Sequence, residues 1–365
     1  MRVVLAKKLL STVGGSEAHA RALAAALRDG GHALTLVGLR PAWRRPGIPD
    51  AVYAAPPGDV VVEEDGLHFV FVGTAAAVLD GALPTSLVFP QRLAPHFAGA
   101  DVVHCLAREW VDPIACAARR VGAAFVETPL VHPGQPFSGA SARDVARYRR
   151  DDAVIALTEW EAGWYRERCV PNVHVTGVGP ILAPLPEVSM DRATILFVGR
   201  KERYKGYDAL HAAAPLVWRE RADARFVLIG QRRPLGPPPL RDPRWVERGV
   251  VGEAEKAEAY ARATIFAMPS EHETFGHTYL EAWCAGRPVI AGDIPPLREV
   301  VREGIDGLHA RNEPRTLARA ILALLADPER SRAMGEAGRQ RVAERWTWPA
   351  VAERTEDAYR SAIRR

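Results

Sequence analysis

Short apolar runs alternate along the chain with stretches whose apolar residues recur at helical spacing. In the first half the strand-like runs are 3–6, 33–39, 68–72, 102–105, 124–128, 153–157 and 173–178. The clearest helix lies over 16–28, where Ala20, Leu23, Ala24 and Leu27 form one stripe and Gly30-Gly31 ends it. This alternation predicts parallel α/β sheets. A second series begins after a proline-rich linker at 182–189, with strands at 193–198, 225–229, 250–251, 264–268 and 288–291. Long helices follow at about 315–325 and from 328, and a last one starts after Pro349. Segments 40–66 and 231–248 read as irregular surface loops. Two open sheets joined by a linker predict two domains, 1–182 and 183–349, and a ligand cleft between them.

Composition changes this picture little. The chain has 365 residues, 48% hydrophobic and 25% charged, enough for two soluble domains. A net charge of +4 suits anionic ligands, but no aromatic-basic RNA motif accompanies it, so nucleic acid is not expected. The 4 cysteines are scattered without a CxxC, which predicts reduced thiols and a cytoplasmic protein. The N-terminus reads as a first strand rather than a signal peptide, and no run approaches the ~18 apolar residues of a membrane span.

The richest chemistry lies at 269–286, Pro-Ser-Glu-His-Glu-Thr-Phe-Gly-His-Thr-Tyr-Leu-Glu-Ala-Trp-Cys-Ala-Gly. Pro269 ends an apolar strand and a helix follows Gly276, so Glu273 sits in a loop and Glu281 in the first turns of the helix. The backbone N–H groups of Gly276, His277 and Thr278 then face outward at a helix N-terminus, where an anion binds well. A solvated helix start with acidic residues matching the macrodipole is the plainer alternative.

This string resembles the E-x7-E motif of retaining, nucleotide-sugar-dependent glycosyltransferases of family four. It matches through Ala282, Gly286, Pro288 and Val289, with Cys284 where the family has alanine. The resemblance implies a GT-B fold, two Rossmann-like α/β domains with parallel sheets facing an interdomain cleft. It implies an acceptor domain at 1–182, with a C-terminal helix at about 350–365 crossing back onto it, and a donor domain at 183–349. Glu273 would hold sugar hydroxyls, Glu281 the donor's ribose, and the turn Phe275, Gly276, His277 and Thr278 the diphosphate.

Other residues fit the same frame. Gly14 and Gly15 lie between the first strand and first helix, where glycine lets a backbone approach a ligand; Ser16 beside them equally suits an N-cap. Arg200, Lys201, Arg203 and Lys205 follow the strand at 193–198, well placed to meet phosphate. The resemblance carries over Arg200 and Lys205 as the diphosphate clamp and leaves Lys201 and Arg203 without a role. It implies an active-site histidine after the strand at 124–128, matched by His132, with His104 as the rival. Glu273, His132, Arg200 and Lys205 are therefore the expected catalytic set.

His272-Glu273-Thr-Phe-Gly-His277 mimics a zinc-protease motif, but its histidines are five apart and point away from each other on a helix. No Asp-x-Asp is present, so cationic side chains rather than a metal are expected to hold the diphosphate. No cofactor is expected. The family's Asn-Gly-Val-Asp is replaced by Thr176-Gly177-Val178-Gly179. Arg119, Arg120, Arg143, Arg147, Arg149 and Arg150 read as a solvated face, and peripheral membrane contact is not favoured. The expected activity is sugar transfer from a nucleotide-diphosphate sugar to an unidentified acceptor hydroxyl or amine, either a small molecule or an envelope glycan or lipid. A non-catalytic sugar-nucleotide-binding protein and a nucleotide-sugar epimerase are the alternatives.

Overall fold

The computed structural model describes residues 1–73, 90–135 and 138–364. They form two compact units, Met1–Val178 together with the chain from Trp348 onward, and Gly179–Thr347. These boundaries fall a few residues before those read from the sequence.

In chain order the first unit contains β1 (Arg2–Ala6), α1 (Gly15–Asp29), β2 (Ala33–Leu39), α2 (Asp50–Ala54), β3 (Val60–Glu64) and β4 (Leu67–Val72). It continues with α3 (Pro90–Phe97), β5 (Val102–Leu106), α4 (Val111–Val121), β6 (Ala124–Thr128), α5 (Ala142–Tyr148), β7 (Ala153–Ala156), α6 (Glu159–Arg166) and β8 (Val173–Val175). The sheet order is β3-β4-β2-β1-β5-β6-β7-β8. All pairings are parallel except β3 with β4.

Strand alternation fills a core on each face. Val3 and Leu5 join Leu23, Leu27 and Tyr359 on one side. Val4 and Ala6 join Phe97, Ile114 and Phe125 on the other. Tyr359 belongs to the C-terminal helix, Trp348–Ile363, which packs on this unit. His104 is buried, with Nδ1 2.7 Å from the Tyr359 hydroxyl and Nε2 2.7 Å from the Thr128 hydroxyl. Burial holds its pKa down to about 3. The rival histidine is thus a neutral rivet between the C-terminal helix and β6.

The second unit contains β9 (Thr194–Val198), α7 (Tyr207–Glu220), β10 (Arg225–Ile229), β11 (Trp245–Arg248), α8 (Glu253–Arg262) and β12 (Ile265–Met268). After them come α9 (His277–Cys284), β13 (Val289–Gly292), α10 (Pro295–Val300), β14 (Gly307–Ala310), α11 (Pro314–Ala326) and α12 (Pro328–Arg345). Its sheet is parallel throughout, in the order β11-β10-β9-β12-β13-β14.

Three strands depart from the sequence reading. β3 lies inside the expected loop at 40–66; it is an antiparallel edge strand with Val61 exposed, so its apolar run is short and unconvincing. β11 lies at 245–248 rather than 250–251, because Trp245 is the residue that reaches the core. β14, Gly-Leu-His-Ala, is too brief to register as a run.

Both sheets are doubly wound, and in each the chain reverses direction beside its first strand. The switch points lie between β1 and β5 and between β9 and β12. Ligands of open α/β sheets bind at the carboxyl ends of the strands at such points.

Near the carboxyl end of β6 lies a buried acidic pair. Glu127 on β6 is fully buried and takes both Nε and Nη2 of Arg147 at 3.2 Å. Asp151, also buried, lies against it. Burial raises both carboxyls above the usual range, and the charge of Glu127 pushes Asp151 up further, to about 9, while Arg147 opposes this. Arg119, half-exposed and 3.6 Å from Asp151, is too hydrated to offset the burial.

The folded protein therefore keeps a carboxyl proton that the unfolded chain releases above pH ~4. The associated stability is complete below that pH and is lost as pH rises through the raised folded value. Between pH 5 and 8 the unfolding free energy of the wild type should fall by about 1.4 kcal/mol per pH unit from this proton. Asp151→Asn should remove that slope in urea unfolding, and an unchanged slope would show that the pair is ionised in the fold.

Candidate functional site

In the second unit, β9 and β12 run side by side, with Ile195 opposite Ile265 and Leu196 opposite Phe266. Their carboxyl ends carry the two loops with the expected chemistry. After β9 the chain makes a 3₁₀ turn at Arg203–Lys205, ended by Gly206 at φ 86°. A Cβ on Gly206 would lie 2.4 Å from the Pro269 ring at the end of β12, so only glycine lets the two loops pack this closely.

That packing brings Lys205 against Glu273, and the ammonium is ion-paired with Oε2. The side chains are 17% and 10% exposed, enough for a ligand to reach and shielded enough for the charges to matter. Tyr204 completes the group. Its hydroxyl accepts from the Arg200 guanidinium, and the Lys205 ammonium lies 5.4 Å from its ring centre. Among the described residues no acid pairs with the exposed Arg200.

Gly276 begins α9 at φ 92°, with Tyr279 so close that a Cβ would meet its ring at 2.5 Å. The first amides of a helix lack acceptors within the helix, and the macrodipole favours an anion there. Side chains in this turn mostly face inward. Phe275 is buried edge-on against Trp346, with centroids 5.3 Å apart. The His277 Nδ1 donates to the Gly179 carbonyl at 2.8 Å, and burial holds its pKa down to about 4. The Thr278 hydroxyl lies 3.8 Å from the Met268 sulfur. The backbone amides of this turn are its feature suited to an anion, because burial keeps the His277 ring uncharged at pH 7.

Glu281 sits one turn further along α9 and is 3% exposed. Its Oε2 accepts from the Tyr260 hydroxyl at 2.8 Å and its Oε1 lies 3.3 Å from the Lys256 ammonium. Burial raises its pKa despite Lys256 and Tyr260, which pull the other way. The sequence reading missed both partners. Their one signal is a lysine four residues before a tyrosine on the helix preceding the motif.

Lys201 proves structural. It is 2% exposed and reaches the Arg248 carbonyl at 2.7 Å and Glu247 at 3.3 Å, tying the end of β9 to β11. Arg203 is exposed.

In the first unit, Gly14 is the N-cap of α1 at φ 123° and Gly15 is its first residue. Ser16 is not the cap; its hydroxyl lies 3.0 Å from Glu17, which pairs with buried Lys7 at 3.1 Å. His132 follows β6 and is partly buried, and its carbonyl accepts from the Gln135 amide at 3.0 Å. Much of the arginine-rich surface has internal partners. Arg143 faces Asp112 at 3.4 Å, Arg149 reaches the Arg168 carbonyl at 2.8 Å, and Arg147 holds Glu127. Among the described residues no three His, Cys, Asp or Glu side chains converge as metal ligands would, and no helix is long and apolar enough to cross a membrane.

Residues 192–327 match the family model described as Glycosyl transferases group 1. The chain is 32% identical over 244 residues to D-inositol 3-phosphate glycosyltransferase of Thermobispora bispora, covering 59% of this chain and 57% of that one. It is 34% identical over 204 residues to alpha-maltose-1-phosphate synthase of Mycolicibacterium smegmatis, covering 50% and 52%. These matches therefore span little more than half of each relative.

Solved structures align over nearly the whole chain. Sucrose-phosphate synthase from Thermosynechococcus elongatus has a TM-score of 0.75 at 19% identity, covering 99% of this chain and 98% of that one. Anabaena HepE in complex with UDP and glucose has a TM-score of 0.73 at 15% identity, covering 98% of each. The fold is GT-B.

Gly206→Ala should cost about 1–3 kcal/mol in thermal or urea unfolding, the range for a side chain forced into a disfavoured backbone region. Gly163→Ala, in α6 with nothing within 4 Å of the added carbon, should be neutral or mildly stabilising. Equal stability of the two variants would mean that the Gly206 contact does not fix this loop.

Proposed function

We propose that this chain is a glycosyltransferase that moves a sugar from a nucleoside-diphosphate sugar to an acceptor hydroxyl or amine, with retention at the anomeric carbon and without a metal. The observation that carries the reading is the convergence of Arg200, Lys205 and Glu273 at the β9/β12 switch point. The match of residues 192–327 to a glycosyl transferase family supports it. So do the activities of the two relatives and the UDP carried by the HepE complex. Retention rests on the resemblance to family four.

On this reading the diphosphate takes over part of Lys205 from Glu273, with Arg200 and the first amides of α9 on its other oxygens. Glu273 then turns to the sugar hydroxyls and Glu281 to the ribose. His132 belongs to the first unit, and its role rests on the resemblance alone. As the bond to the anomeric carbon breaks, negative charge grows on the departing diphosphate, and fixed cations and amide dipoles stabilise it without reorganising. Such preorganised stabilisation is commonly the largest catalytic contribution. The acceptor then delivers its oxygen or nitrogen to the anomeric carbon and passes its proton to the departing diphosphate. No covalent enzyme intermediate is required, and the two glutamates are not a glycosidase's acid and base pair.

Calorimetry with UDP, GDP, ADP and dTDP should show binding of at least one of them. With the matching sugar donor, Lys205→Ala and Arg200→Ala should each lower kcat by ~100-fold or more, and Arg200→Ala should leave the melting temperature near wild type. Turnover at the wild-type rate in both variants would refute the clamp.

A further inference from the structure

We infer that Lys256 is a positioning residue for the donor nucleotide, acting through Glu281; this assignment rests on the donor reading above. Lys256 and Tyr260 lie one turn apart on α8 and approach the two oxygens of one carboxylate, Lys256 at Oε1 and Tyr260 at Oε2. A carboxylate accepts about four hydrogen bonds, so two such contacts fix its orientation and leave lone pairs for ribose hydroxyls.

The lysine is itself held in place. Its ammonium donates to the Ile181 carbonyl at 2.8 Å and pairs with Glu253 at 2.8 Å, and its side chain is 13% exposed. Ile181 lies in the segment whose Gly179 carbonyl accepts from His277, one turn before Glu281 on α9. Segment 179–181, α8 and α9 are thus cross-tied around Glu281. Burial works against the charge on Lys256, but Glu281 and Glu253 more than offset it, so the lysine stays protonated.

A buried carboxylate without a cation takes up a proton and loses acceptor capacity. Lys256 therefore favours the charged form of Glu281 against burial and fixes its aim. Lys201 is the contrasting case: it is more deeply buried and spends its ammonium on Glu247 and the Arg248 carbonyl.

The test is a double-mutant cycle read by calorimetric affinity for whichever nucleoside diphosphate the wild type binds. Lys256→Met and Glu281→Gln should each weaken binding roughly tenfold. The double variant should be no weaker than Glu281→Gln alone, a coupling in the range of residues in direct contact. Lys256→Met should also move the pH dependence of affinity upward by about 1–3 units from wild type, the shift set by an adjacent cation, and Glu281→Gln should remove that dependence. Lys201→Met should lower the melting temperature without coupling to Glu281.

If Lys256→Met does not fold, Lys256→Gln replaces it in the same cycle, since it removes the charge beside Glu281 and keeps a polar side chain. Additive losses, or an unchanged affinity and pH profile, overturn the role of Lys256 and leave the donor reading intact. A wild-type protein that binds no nucleoside diphosphate overturns the donor reading and this assignment with it.

Discussion

The pairing of Lys205 with Glu273 is the contact on which the second unit's site depends. It exists because two constraints coincide. The chain reverses its winding between β9 and β12, so two loops distant in sequence leave neighbouring strands on the same edge of the sheet. The absent side chain of Gly206 then lets one loop lie directly on Pro269 of the other. Topology supplies the neighbourhood, and one glycine supplies the last few ångströms.

Around that pair the protein separates cations that are available from cations that are consumed. Arg200 and Lys205 stand at the edge, while Lys201 is sealed under β9 and β11 and Arg147 is sealed under β6. Charge at the carboxyl end of a strand is therefore not by itself a phosphate site. Burial and existing partners decide which guanidinium or ammonium a ligand can recruit. The same rule reduces the weight of the arginine-rich surface in the first unit, where Arg143, Arg147 and Arg149 already answer to acids or carbonyls.

Much of this was legible in the sequence. Parallel strands such as β1, β2 and β9 are apolar on both faces and stand out as runs, and α1 shows its stripe plainly. β3 and β14 did not, because an edge strand half open to solvent and a four-residue strand that opens on glycine lack enough apolar length. At the site, residue identities were readable but directions were not. Phe275 and His277 sit in the motif turn, yet their side chains serve Trp346 and the Gly179 carbonyl. Lys256 was invisible for the opposite reason: on a helix its periodic position looks like a solvated lysine, and only tertiary packing reveals the carboxylate beneath it. Long-range polar pairing has no local signature, since each partner's identity depends on what the fold sets against it.

The charge balance of the site has a mechanistic consequence. Lys205 and Glu273 neutralise each other, so the unspent positive charge is Arg200 plus roughly half an elementary charge at the start of α9. On the proposed reading, a diphosphate is met first by those two features and engages Lys205 only by competing with Glu273. Releasing Glu273 from the lysine without another partner would be costly in a shielded site. Sugar hydroxyls are the natural replacement donors. A bare diphosphate brings no such donors and a nucleotide sugar does, so the ion pair favours the complete donor over the spent product. One contact would thus hold the site ready and bias it toward substrate. That preference arises from the unfavourable state left behind by the wrong ligand, the usual origin of strong discrimination by buried polar groups.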